Sequence, residues 1–248
     1  MENLGVFPFG SPVKPVIQQD RTPKEIFVLG VYASAVHAVW LGPDGKRKVN
    51  ALAVASEPEI FWRGEDAGAI ISSIEVPGDL GRLAPASQQF NGPSGRSLDR
   101  EFLEPLGITR DDVWLSDLYP FAHMNSGQKK AIDRAYLPYV EEYGLPMPSL
   151  RPAPGKSPGE ERCLEIWEEV TVSGASILIL LGDKPIQWFL SSFQPEYRRI
   201  SDFGTDLSSY GRVHQVQIRD RSIGILPLVH PRQASRLGVS SAEWSALH

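Results

Sequence analysis

The sequence predicts an α/β fold, a three-layer α/β/α sandwich with a short, mostly parallel, four-stranded sheet. Two observations carry this. Four segments of strand length, Ile26–Tyr32, Val113–Pro120, Ser176–Gly182 and Ile223–Val229, are mostly apolar rather than alternating, with Ser116 and Asp117 interrupting the second. Strands covered on both faces have that pattern. Segments of helical period separate them, and strands alternating with helices build a parallel sheet whose sites gather at the carboxyl ends of the strands.

Residues 1–25 hold four prolines and little periodicity, the composition of an extended arm, and 26–248 are expected to form a single domain. After the first strand, Val39–Leu41 and Val49–Val54 flank a Gly42-Pro43-Asp44-Gly45 turn and predict a hairpin. A less regular stretch runs to about residue 94. Leu98, Phe102 and Leu106 place one apolar face on a helix over Ser97–Leu106, closed by Gly107. Residues 127–143 have helical spacing, and 144–159, with five prolines, predict a loop. Glu160–Val172 is amphipathic with an acidic face, and a further helix follows the third strand through Trp188. Residues 191–222 are a polar excursion, and a short helix is expected around Ala234.

The bulk properties narrow the class. A hydrophobic fraction of 42% and a charged fraction of 22% are those of a soluble globular protein. The single Cys163 excludes an internal disulfide framework and any multi-cysteine metal site, which fits a reducing interior. No run approaches the roughly 20 apolar residues of a membrane span. With no basic segment leading into an apolar core at the N-terminus, an intracellular, cytoplasmic location is expected. A net charge of −5 means that nucleic-acid binding would use a local basic face.

Four short segments stand at the predicted carboxyl edge: Gly30-Val31-Tyr32-Ala33-Ser34, Phe90-Asn91-Gly92-Pro93-Ser94-Gly95-Arg96, Asp117, and His230-Pro231-Arg232. Pro231 ends the fourth strand and presents His230 on a rigid corner. In order and residue type these segments resemble the uracil-DNA glycosylase superfamily. The layout is nearest the branch that usually carries an iron–sulfur cluster, although this chain lacks the cysteines. The resemblance implies a monofunctional DNA glycosylase that flips a damaged or deaminated base and hydrolyses its N-glycosidic bond. That chemistry needs no metal or organic cofactor. Position by position it implies that Gly30–Ser34 forms the water-activating loop, with Gly30 meeting the base and Tyr32 or Ser34 placing water. Phe90 stacks on the extruded base. Asp117 reads the base edge, and His230 stabilises the departing base as negative charge builds on it. Arg232 lies on the duplex-wedging loop, and Arg96 and Arg236 add contacts to the DNA backbone, single- or double-stranded.

Two departures matter. Val31 and Tyr32 stand where the family supplies a carboxylate or asparagine. Asp117 replaces the family's usual asparagine. Ionised, it offers only acceptors and suits an edge with two donors; protonated, it still reads a pyrimidine; or it carries the charge missing from the first motif. Each residue also has a structural reading: His230 a strand-end residue, Phe90 and Tyr32 packing aromatics, Asp117 a turn cap. Segment 196–236 holds seven arginines against four acids, a basic flank or simply a solvated loop. The alternative function is a non-catalytic module with a glycosylase-like fold that binds nucleic acid, nucleotide or protein. A nucleoside N-glycosidase, which needs no basic flank, is a third.

Overall fold

The computed structural model describes residues 4–206 and 209–233. These form strands β1 (Ile26–Tyr32), β2 (Ala35–Leu41), β3 (Arg47–Ser56), β4 (Arg82–Pro85), β5 (Val113–Tyr119), β6 (Ile177–Leu181), β7 (His214–Ile218) and β8 (Arg221–Leu228). The helices are α1 (Ala67–Ser72), α2 (Pro93–Leu98), α3 (Glu104–Leu106), α4 (Ser126–Ala131), α5 (Val140–Tyr143), α6 (Glu160–Ser173) and α7 (Asp183–Trp188). The chain divides into two compact units. A parallel unit takes Ile17–Tyr32, Ser94–Pro120 and the chain from Gly155, and an antiparallel unit takes the chain up to Val16, Ala33–Pro93 and Phe121–Pro154.

The parallel unit is built on a sheet of order β5-β1-β6-β8-β7, in which all neighbours but β7 and β8 run parallel. Phe27, Leu29, Leu178 and Leu180 pack on one face against Ile166 and Val170 of α6 and Ile186 of α7. Val28 and Ile179, pointing the other way by strand alternation, are also buried. Both faces are covered, as the unbroken apolar runs require.

The sheet has five strands where the sequence predicts four. The extra strand is β7, His214-Gln215-Val216-Gln217-Ile218, with Val216 and Ile218 buried and the two glutamines exposed. It joins β8 through a tight turn at Arg219 and Asp220, where Arg219 has φ +54. An antiparallel edge strand alternates, so it reads as polar beside the solid runs of the centre.

The antiparallel unit holds a three-stranded sheet of order β3-β2-β4. The hairpin runs from Ala35 to Ser56 and its turn closes at Gly42–Lys46, with Gly45 at φ +75. Trp40, Leu52 and Val54 form its core with Trp62 and Tyr136, and the N-terminal segment adds Phe7 and Val13 to it. Gln128 of α4 lies along the edge of β3. Its Oε1 accepts from the Ala53 N–H and its Nε2 donates to the Ala51 carbonyl, both at 2.9 Å, so an otherwise open edge is partly satisfied. The helix expected over 127–143 is not continuous. A π turn follows α4, and a 3-10 turn at Leu137–Tyr139 accommodates Pro138, which has no N–H to give an α-helical ladder. Among the described residues no helix is long and apolar enough to cross a membrane.

Candidate functional site

Strand β1 has β5 on one side and β6 on the other, so the chain changes direction of winding at β1. In open parallel sheets ligands bind beyond the carboxyl ends of the strands at such a switch point. Three of the residues singled out from the sequence stand there. Gly30 and Asp117 are partners across the β1–β5 ladder, and Tyr32 faces Tyr119 one turn of the pleat further on. Asp117 is 3% exposed, whereas Tyr32 is 39% exposed and is not absorbed into the core.

The strand end carrying Asp117 is fixed from α6. Arg162 donates to the Asp117 carbonyl at 2.9 Å and to the Leu118 carbonyl at 3.3 Å, while its guanidinium pairs with Glu165 and Glu169 at 3.0 and 2.9 Å. The sequence presents α6 as an acidic surface helix, and that reading misses this arginine. The signal is there all the same, as the one cation in a run of five acids.

His230 follows β8, two strand positions from β1, about 10 Å along the sheet edge. Its Cβ lies 3.6 Å from where a Cβ on Gly182 would sit, at the exit of β6. The Arg232 N–H donates to His230 Nδ1 at 3.3 Å. That nitrogen is therefore the acceptor of a neutral ring whose proton is on Nε2. Burial, helped by the Arg232 charge, pushes the imidazole down to a pKa of about 4. Tyr210 supports the same corner, its hydroxyl accepting the Val229 N–H at 3.2 Å. Nothing in the local sequence distinguishes this tyrosine.

Ser34 and Phe90 belong to the antiparallel unit. The Ser34 N–H donates to Glu57 Oε1 at 2.7 Å, and Glu57 is 5% exposed. Phe90 is half-buried, its ring 6.3 Å from that of His37. The next residue holds it there. The buried Asn91 side chain accepts the His37 N–H at 2.8 Å and donates to the His37 and Ala86 carbonyls at 2.9 and 3.2 Å. It thus extends the β2 ladder and makes the loop rigid. Gly92, at φ +68, lies flush on the Arg63–Gly64 backbone, where a Cβ would come within 2.1 Å of the Arg63 carbonyl carbon.

Of the basic residues, Arg96 is the fourth residue of α2, not its first, and Arg232 follows His230 into a helical turn. Arg236, like the helix expected around Ala234, lies outside the described residues. Several arginines of the basic flank have structural partners. Arg199 pairs with Asp202 at 3.3 Å, Arg221 donates to the Gly174 and Ala175 carbonyls, and Arg219 lies over the Phe193 ring. A second basic feature is one the sequence does not announce. In the antiparallel unit, β3 and the α4 region line a surface cleft of about 490 Å³ whose ionisable residues are Lys48, Lys130 and Arg134, all cations. Lys48 is held by the rings of Tyr139 and Trp40, at 4.3 and 4.8 Å.

An iron–sulfur cluster does not fit these residues. Cys163 is the chain's one cysteine, and its buried thiol donates to the Trp188 carbonyl at 3.2 Å. Burial pushes its pKa up, away from the thiolate a cluster binds.

Comparison with curated proteins returns no match. The family model described as uracil DNA glycosylase superfamily matches residues 64–245. The match takes in Phe90, Asp117 and His230, while Gly30, Tyr32 and Ser34 precede it. It covers more than half of the chain, over a mostly parallel α/β sheet of the expected kind, and the protein belongs to the uracil-DNA glycosylase superfamily.

Proposed function

We propose that the protein is a monofunctional DNA glycosylase acting on a damaged or deaminated base turned out of the strand. The C1′–N bond breaks with its electron pair on the base. A water oxygen bonds to C1′, and the proton it loses ends on the released base. The observation that carries the reading is the state of His230. Its Nδ1 accepts the Arg232 backbone N–H, and burial holds its pKa well below the ordinary histidine value, which favours the neutral ring with its proton on Nε2. A neutral donor beside the base favours its leaving as an anion, because it gives a hydrogen bond without first surrendering its own proton. Phe90 stacks on the base, Gly30 meets it through the backbone, and Asp117 reads its edge or supports the sugar cation. Tyr32 or Ser34 places the water. Arg96, Arg232 and Arg236 take the phosphates, and the cationic cleft of Lys48, Lys130 and Arg134 supports a polyanionic partner.

The test uses labelled oligonucleotides bearing uracil, hypoxanthine, xanthine or a normal base, single- and double-stranded, incubated with protein and then treated with alkali. Cleavage is expected for at least one modified base. His230→Ala should lower its single-turnover rate by about 10²–10³-fold, and Asp117→Asn should change which base is preferred. DNA binding with no cleavage of any base would instead identify a non-catalytic module, the reading favoured by Val31 and Tyr32 in the first motif.

A further inference from the structure

The cleft between β3 and the α4 region lies wholly within the antiparallel unit. Gln128 seats the helix on the strand through the backbone of Ala51 and Ala53, and Gly127, Ala131 and Ala135 line the cleft from the helix. Their small side chains leave a space of about 490 Å³. Its charge is one-sided. Lys129 pairs with Asp133 at 2.7 Å, opposite charges four residues apart on a helix. The next pair at that spacing is Lys130 and Arg134, two exposed cations that both line the cleft. Like charges so placed repel, and the described lining includes no acid to offset them. Lys48 adds a third charge from β3, and the rings of Tyr139 and Trp40 position its ammonium without neutralising it.

The surroundings select the kind of anion. Gln128 already occupies the β3 edge at Ala51 and Ala53, so a peptide cannot add there as a further strand. Apart from the buried Val49, the lining holds no large apolar or aromatic side chain of the kind that anchors a protein partner. What remains is charge at a regular interval. Cβ atoms four residues apart on a helix are about 5–6 Å apart, close to the spacing of neighbouring phosphates along a nucleic-acid strand.

We propose that this cleft binds the sugar–phosphate backbone of a nucleic acid, with Lys130 and Arg134 on neighbouring phosphates and Lys48 as a fixed third charge. The lining offers no ring on which a base could stack, so binding here is indifferent to sequence and needs no modified nucleotide. The site goes beyond the glycosylase reading and serves a non-catalytic module equally well.

The test is the anisotropy of a labelled oligonucleotide of normal bases, single- and double-stranded, titrated with the full chain over a range of salt. Lys130→Gln/Arg134→Gln should weaken binding about tenfold or more at low salt and flatten the slope of log K against log salt by about 2. Lys46→Gln/Lys129→Gln removes as much charge from the same unit, but from lysines paired with Asp44 and Asp133. That control should stay within about twofold of wild type. All four side chains are exposed, so neither variant disturbs the core. Unlabelled DNA should displace the probe far better than polyglutamate of equal charge. Equal losses in the two variants would mean that binding follows net charge, and an unchanged slope in the cleft variant that the backbone runs elsewhere. Displacement by polyglutamate as readily as by DNA would assign the cleft to an acidic protein. Each of these overturns the proposal, as does a wild type that binds neither oligonucleotide. Because the probe holds no modified base, the outcome is separate from whether the protein cleaves.

Discussion

His230 is useful in the proposed reaction because it resists protonation, and that resistance has a measurable cost. Its folded-state pKa of about 4 lies below the ordinary 6.5, so between those values the unfolded chain binds a proton that the native ring refuses. Stability therefore falls as pH drops from about 6.5 towards 4, by on the order of 2–3 kcal/mol. Urea unfolding at pH 7 and at pH 4.5 should show this loss in wild type and a smaller one in His230→Asn. Equal losses would mean that the ring is not held neutral. The residues that the proposed reaction uses stand out in the sequence because each sits beside its own punctuation: Gly30 within an apolar run, Asp117 near a strand-ending Pro120, His230 before Pro231. Those that hold them do not. Glu57 reaches Ser34 across 23 positions and Arg162 reaches Asp117 across 45, and only the hairpin register and the seating of α6 create those contacts.

Among the elements, the segments that position Phe90 depend on backbone contact more than on side chains. Replacing Gly92 by alanine would force a Cβ to 2.1 Å from the Arg63 carbonyl carbon and strain a residue at φ +68. The expected cost is about 2–4 kcal/mol in chemical denaturation, with DNA cleavage falling in the folded fraction as the Phe90 loop shifts. A change under about 0.5 kcal/mol would show the loop to be compliant. The central strands were legible from their solid apolar runs. Strand β7 and the break at Pro138 were not, since an alternating edge strand resembles a polar loop and local helical turns absorb a proline that periodicity alone passes over.

For the molecule as a whole, charge sets the terms of the proposed DNA binding. With a net charge of −5, attraction to a phosphate backbone must come from local faces, and the Lys48, Lys130 and Arg134 cleft is one that no sequence run announces. Replacing all three by alanine should flatten the slope of log K against log salt by about 2–3, near 0.9 for each phosphate left without its cation. An unchanged slope would remove the cleft from the DNA path. The fold class was legible at this scale, because parallel sheets sort their strands by hydrophobicity. The order of strands within the sheet was not, and it carries a further consequence. Strand β1 is complete at Tyr32, yet its partners begin at Val113 and Ile177. At about 5–20 residues per second of synthesis, the bare Phe27-Val28-Leu29 edge leaves the ribosome roughly 4–16 s before its first neighbour exists and roughly 7–29 s before its second. During that interval the nascent chain offers an unpaired apolar strand to any other chain nearby, so yield in the cell should depend on holdase chaperones and on slow, cool expression more than on the stability of the finished protein.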